Sequence, residues 1–279
     1  MIKPIKLSKR LTAIAGYIEK GSDVADIGTD HGYLPVYLAQ NGLVRRIIAS
    51  DISEESLEAA KRSAAKYGFA NKITFINAPG LAGISEHEVD TIVMSGMGGE
   101  TISGILAEAP WTKHPRVRII MQPQTKLDII CLWLRDSGYV IQDAELVRDR
   151  GRFYVVMLVS AAAQAPAALA QGSEGAPAAQ GSGVRGQGSE NTLVAQGSGD
   201  ANAGFGAVSS MSSLPYTRLT EIELFSILAG KGDPFFAEYI DKLISKTRRA
   251  VEGMAKAGAA GYADMTQRFA ALSNLKETL

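Results

Sequence analysis

Cysteine is almost missing from this chain. One residue, Cys131, among 279 excludes an intrachain disulfide framework and suits a reducing compartment. Long apolar runs are missing too: none reaches the ~18 residues that a membrane helix needs, so no span is expected. Net charge is absent, with 29 Lys and Arg balancing 29 Asp and Glu. That balance argues against a protein that coats nucleic acid by charge alone. The N-terminal MIKPIKLSKRL is basic but has no apolar segment behind it, so it is not read as a secretory signal. The histidines, His31, His87 and His114, lack ligand spacing, and no metal is expected. What remains is a soluble, cytoplasmic, globular chain, expected as a monomer, with room for one large domain or two modest ones.

Residues 161–214 stand apart. They are dominated by Ala, Gly, Ser and Gln, and AQGS recurs at 170–173, 179–182 and 195–198. So little large apolar surface cannot offset the entropy of ordering, and a flexible linker is expected there. It separates a domain over 1–160 from a helical one over 215–279. Before the linker, strand and helix patterns alternate. Leu7, Leu11, Ile14, Ala15 and Ile18 recur at helical spacing, and Gly21 ends that helix. Strands are predicted at 24–27, 46–51, near 72–77, 89–95 and 116–121, with helices near 33–41, 99–108 and 125–137. A further helix opens at Ser53, a plausible N-cap followed by Glu54 and Glu55, and closes at Gly68. Two β-rich runs, 139–147 and 152–160, flank the turn Asp149-Arg150-Gly151. Repeated βα units imply an α/β fold, a mostly parallel sheet with helices on both faces, closed by an antiparallel hairpin. After the linker, Phe235, Phe236, Tyr239, Ile240, Leu243, Ile244, Thr247, Val251 and Met254 form an apolar stripe preceded by a cap at Asp233-Pro234. Helices near 218–229 and 263–277 flank it.

In such a sheet, ligands sit beyond the C-terminal ends of the strands, near the switch point. Three segments fall there: Asp26-Ile27-Gly28-Thr29-Asp30-His31-Gly32, Asp51 with Ile52, and Ser95-Gly96-Met97-Gly98-Gly99. Gly28 and Gly32 allow the backbone to approach a ligand, and the helix behind offers free N–H groups. Asp51, 23 residues after Gly28, can accept hydrogen bonds from both hydroxyls of a ribose. The dinucleotide pattern G-x-G-x-x-G is broken because Asp30 stands where its second glycine belongs, and a carboxylate there would repel a pyrophosphate. A nicotinamide oxidoreductase is therefore disfavoured. A cofactor with a cationic head and a ribose but no phosphate fits better, and S-adenosylmethionine (SAM) is such a molecule.

The runs LSKRLTAIAGYI (7–18), ADIGTDHGYLPVYL (25–38), ASDIS (49–53), VDTIVMSGMGG (89–99) and IIMQPQ (119–124) closely resemble the bacterial tRNA (adenine-22-N1)-methyltransferase family. The resemblance covers residues 5–160 almost continuously. It implies a Rossmann-like methyltransferase fold, SAM as donor, tRNA as substrate, 1-methyladenosine in the D-arm as product, and a coiled-coil-like helical C-terminal domain. Cofactor contacts would then come from Asp26, Gly28, Asp30, His31, Gly32, Asp51, Ile52, Gly80, Ser95, Gly96 and Met97. The chain departs from the family where the usual G-D-G-L reads Ala78-Pro79-Gly80-Leu81, where Q-P-N reads Gln122-Pro123-Gln124, and in the low-complexity insertion.

Attack by adenine N1 needs no general base, so alignment should carry most of the rate. Asp30 is the candidate to stabilise the developing cation, with His31 and Tyr33 shaping its turn, and Gln122 and Gln124 can read the Watson–Crick edge. N1 must first be exposed, by flipping if it is paired. RNA contacts are expected from Lys6, Lys9 and Arg10, from Gly98 and Gly99 leaving strand four, and from Lys246, Arg248 and Arg249. The plainer readings are that Asp30 caps the next helix or binds the cofactor's amino group, that the glycines serve helix packing, and that the charged face is merely solvated. Cys131 is expected in the core. A SAM- and RNA-binding protein without turnover, or a methyltransferase of another RNA or a small molecule, are the competing functions.

Overall fold

A single seven-stranded sheet organises the computed structural model, which describes residues 4–162 and 221–279. Nearly all of the expected linker over 161–214 lies outside the described residues, as does the start of the helix expected near 218. β1 (Asp23–Ile27), β2 (Arg46–Asp51), β3 (Thr74–Asn77), β4 (Thr91–Gly98) and β5 (Arg118–Thr125) run parallel, in the order β3-β2-β1-β4-β5. β6 (Tyr139–Asp149) and β7 (Arg152–Ala161) form the expected hairpin, and β7 inserts antiparallel between β5 and β6. The order reverses between β1 and β4, which opens a crevice at their C-terminal ends.

Alternation along the strands sorts the helices into two layers. Val24, Ala49, Val93, Ile120 and Val156 pack with Ile14, Leu34, Val36 and Ala64, from α1 (Lys9–Gly16), α2 (Tyr33–Gln40) and α3 (Glu54–Lys66). Their alternates Ala25, Ile27, Ile92, Met94, Ile119 and Met121 meet Ile102, Leu106, Ile130 and Leu134, from α4 (Gly99–Glu108) and α5 (Leu127–Asp136). Each such Ile or Leu contributes ~1.5–3 kcal/mol by leaving water. Local signals set the helix starts. Ser8 Oγ accepts from Leu11 N and caps α1, and Ser53 Oγ accepts from Ser56 N and caps α3, whose first turn carries Glu54 and Glu55. Cys131 is buried in the α5 core, as its apolar surroundings imply.

β4 and β5 run furthest past their sequence-based ends, to Gly98 and Thr125. β4 continues to Gly98 because its pairing with β5 shifts register around Gly96, a bulge that adds a residue without ending the ladder. β5 continues to Thr125 beside it.

The second described segment supplies α6 (Ile222–Gly230), α7 (Phe236–Ala257) and α8 (Tyr262–Glu277). Leu224, Phe225, Phe236, Ile240, Ile244 and Leu272 join the same core as α4 and α5. Two carboxylates cover the outer edge of β6: Glu223 accepts from Ile141 N at 3.3 Å and Asp233 from Leu146 N at 3.0 Å. Asp233 also accepts from Phe235 N, whereas α7 itself starts at Phe236 without a side-chain cap. The expected cap at Asp233-Pro234 is thus a tie between the interhelical turn and the sheet. Buried Glu221 is paired with Arg268 of α8, and Asp128 of α5 lies 3.7 Å from the same guanidinium. Among the described residues, no helix is long and apolar enough to cross a membrane.

Candidate active site

The crevice at the switch point is a cleft of about 680 Å³, within the range of small-molecule sites. Its floor is the end of β1, where Asp26, Gly28, Thr29, Asp30 and His31 line it, and its far wall holds Ser95, Gly96 and Gln124. Asp26 shares the face of Val24 and pairs in register with Val93, while Ser95 pairs with Gln122 two steps further along. Period-two geometry therefore turns Asp26, Ser95 and Gln122 toward α1.

Asp26 is 5% exposed, and its Oδ2 accepts from the Thr29 hydroxyl at 2.8 Å. Burial pushes its carboxyl up to about 7; the Thr29 bond opposes this, the Asp51 charge adds to it, and Arg10 opposes it. Gly28 takes φ +69°, a conformation that favours glycine, and a Cβ there would lie 2.4 Å from the Met97 methyl, which would have to move aside. Gly28 N and Thr29 N both donate to Ser50 O, tying the turn to β2. Asp51, at the end of β2, accepts from Asp30 N at 3.1 Å through Oδ2 and from Ser53 N at 2.9 Å through Oδ1. These bonds fix its carboxylate while leaving each oxygen a second lone pair. Ile52 beside it is 73% exposed, an apolar surface held next to the acid.

Asp30 holds a left-handed backbone, φ 52°, and its side chain is largely exposed, with His31 Nε2 3.8 Å from its Oδ1. The His31 ring stacks on Tyr33 at 5.4 Å. Asp30 is not a helix cap: the N-cap of α2 is Gly32, without any side-chain bond. Strain of this kind in a non-glycine residue at a cleft is what a functional turn retains.

Several sequence-based expectations change here. Arg10, expected on the RNA surface beside Lys6 and Lys9, turns inward; it donates from Nη1 to Ser95 Oγ at 2.8 Å and to Gln122 Oε1 at 2.7 Å. Gln122 is fully buried and spends its Nε2 on the Pro123 carbonyl at 3.0 Å. Its amide is thus committed on both sides and is not free to read a base. Gln124 is exposed, lines the cleft and remains free for that role. Gly32 does not line the cleft: a Cβ on it would lie 2.9 Å from that of Ala60, so it serves the approach of α3. Gly80 packs similarly on Ile105, and exposed Pro79 precedes it where the family pattern has an acid. Gly99 is buried, and a Cβ would lie 2.2 Å from the Lys126 carbonyl; close packing of α4 explains it, not contact with RNA. Gly98 is half-buried against Thr125 at the end of the β4 ladder. On α7, Lys246, Arg248 and Arg249 are all exposed, and Arg248 lies over the Phe269 ring at 5.5 Å.

The structure also adds residues to the cleft. Asp149, Arg150 and Tyr154 line it, because β7 runs antiparallel to β5 and so carries the hairpin turn past the ends of the parallel strands. The turn itself was legible in the sequence; its position over the cleft follows from strand order. Among the described residues no group of His, Cys, Asp and Glu is placed to hold a metal.

The donor set fits the cofactor expected from the sequence. A bare-backbone cradle at Gly28, a fixed carboxylate at Asp51 for paired hydroxyls, and a buried Asp26 suit a nucleoside with a cationic head; no nest of N–H groups for a pyrophosphate is formed, since Gly28 N and Thr29 N are occupied.

Comparison with known proteins gives the same direction. A family profile described as a methyltransferase domain matches residues 7–157. The tRNA (adenine(22)-N(1))-methyltransferase of Bacillus subtilis is 36% identical over 157 residues, covering 56% of this chain and 66% of that protein, just under two thirds of its length. The crystal structure of the B. subtilis M1A22 tRNA methyltransferase superposes with a TM-score of 0.71 at 24% identity, over 98% of this chain and 99% of that one. A putative tRNA (m1A22) methyltransferase of Streptococcus pneumoniae, in complex with S-adenosyl-L-methionine, gives 0.66 at 23% identity, over 97% and 100%. At these identities the structures show a shared fold.

Proposed function

This chain belongs to the methyltransferase-domain family, and from that premise we propose that it methylates N1 of adenine 22 in the D-arm of tRNA, using SAM. The observation that carries the reading is the cleft itself: the Gly28 cradle and buried Asp26 line it together with an exposed amide at Gln124, and Asp51, at the end of the adjacent strand, accepts from the N–H of cleft-lining Asp30. SAM, when bound, supplies an activated methyl group on a sulfonium centre. Gly28, Asp26, Asp51 and Ile52 would hold it.

The protein's own work is then orientation. Adenine N1 has a free lone pair at neutral pH, so no residue need remove a proton. Gln124 addresses the Watson–Crick edge of the flipped base. Asp30, exposed on its strained turn, faces the positive charge that develops on adenine. Holding the base in line can supply several kcal/mol. Lys6 and Lys9 before and within α1, and Lys246, Arg248 and Arg249 on α7, are proposed to meet tRNA phosphates. A tRNA substrate places the enzyme in the cytoplasm.

Methyl incorporation from labelled SAM into unmodified tRNA transcripts carrying A or G at position 22 tests the proposal. Label confined to the A-containing transcript is expected. Equal labelling of both would reject the target, and no labelling of either despite SAM binding would favour a binding protein without turnover.

A further inference from the structure

The tip of the β6–β7 hairpin carries a residue that its turn does not favour. Asp149 pairs with Arg152, so Arg150 and Gly151 form a two-residue connection, and both take left-handed backbone, φ 48° and 77°. That is the type I′ geometry, whose twist matches the strands it joins. Its first position prefers Asn, Asp or Gly, because a longer side chain gains nothing locally from the crowded left-handed backbone. Here it holds Arg, although Asn-Gly would make the same turn with less strain. Local preference has been overridden, and the reason lies outside the turn.

Arg150 is exposed and lines the cleft that also holds Gln124. Among the described residues it makes no hydrogen bond or ion pair. The other arginines of the hairpin have acidic neighbours: Arg148 pairs with Glu238 of α7 at 3.1 Å, and Arg152 stands opposite Asp149 across the ladder. The interior of the cleft is hostile to a phosphate. Asp26 and Asp30 line it, Gly28 N and Thr29 N donate to Ser50 O, and Arg10 Nη1 donates to Ser95 and Gln122. Its exposed, uncommitted cations are Lys6, before α1, and Arg150 on the hairpin. A flipped nucleotide enters base first and leaves its flanking phosphates at the mouth. There a guanidinium can grip two oxygens of one phosphate through paired N–H groups.

We propose that Arg150 anchors a phosphate flanking the target adenosine and so holds the flipped base at Gln124. The assignment rests on tRNA being the substrate. It also explains why the strain sits at this turn, since the tip is the part of the hairpin carried past the ends of the parallel strands.

The test combines Arg150→Asn with tRNA in which one linkage beside A22, 5′ or 3′, is a neutral methylphosphonate. On all-phosphodiester tRNA, Arg150→Asn should lower kcat/KM about 5- to 20-fold, the loss of one charge-assisted contact. The affinity for S-adenosylhomocysteine, the product left by SAM, should stay within about twofold of wild type. The thermal midpoint should rise by about 2 to 4 °C as the turn relaxes. Arg150→Lys, which keeps the charge without the fork, should lose less turnover. Wild type should lose a similar factor on one of the two methylphosphonate tRNAs, and Arg150→Asn should lose nothing further on it. Losses that multiply on both modified tRNAs would overturn the assignment, as would unchanged turnover by Arg150→Asn. A lowered thermal midpoint accompanying the lost turnover would overturn it in favour of a structural role, and a matching loss of S-adenosylhomocysteine affinity in favour of a cofactor contact. Wild-type protein without turnover on tRNA would overturn the tRNA reading and this assignment together.

Discussion

Replacing Asp26 by Asn should stabilise the free protein, and the gain should grow as the pH rises. Asp26 is buried beneath the cleft, and its carboxyl is pushed up to about 7 from an ordinary 3.8, chiefly by burial. That gap corresponds to about 4 kcal/mol. The unfolded chain releases the proton near 3.8 and the native protein near 7, so between those values the native state binds more protons. Unfolding free energy therefore falls with rising pH across that window, and the whole cost is present above about 7. Asn carries no proton in either state, and its carbonyl oxygen can still accept from the Thr29 hydroxyl. Relative to wild type, Asp26→Asn should gain about 2 to 3 kcal/mol on going from about pH 5 to about pH 8. Urea unfolding of the ligand-free full chain at both values measures it. A difference between variant and wild type that stays constant with pH, or shrinks as pH rises, would refute the argument. Stability held in reserve this way is consistent with a carboxylate kept to meet a cationic ligand.

Glu221→Gln should destabilise the protein by about 1 to 3 kcal/mol, because the half-buried Arg268 guanidinium would lose its close charged hydrogen bond and keep Asp128 at 3.7 Å; chemical denaturation reads this directly. Charge reversal at Lys246, Arg248 and Arg249 should weaken tRNA binding several-fold in a filter or mobility assay and leave S-adenosylhomocysteine affinity unchanged. Unchanged tRNA affinity would remove α7 from the RNA surface.

Much of this protein was settled by its sequence alone. The βα alternation and the closing hairpin gave the α/β class. Ser8 and Ser53 marked two helix starts, and the acids ending strands one and two marked the ligand end of the sheet. Each of these signals is local: a cap needs only its own first turn, and alternation needs only a strand's own residues. Tertiary structure decided the rest. Lys6, Lys9 and Arg10 read alike as a basic cluster, and only the docking of α1 turns Arg10 onto Ser95 and Gln122, 85 and 112 residues away. That contact consumes the Gln122 amide and leaves Gln124 to face the cleft. The raised carboxyl of Asp26 comes from burial by elements far along the chain. Tyr154 and Arg150 reach the cleft because β7 lies antiparallel beside β5. Periodicity is written residue by residue, but which face is buried, and against what, is fixed only when strands distant in sequence come into register.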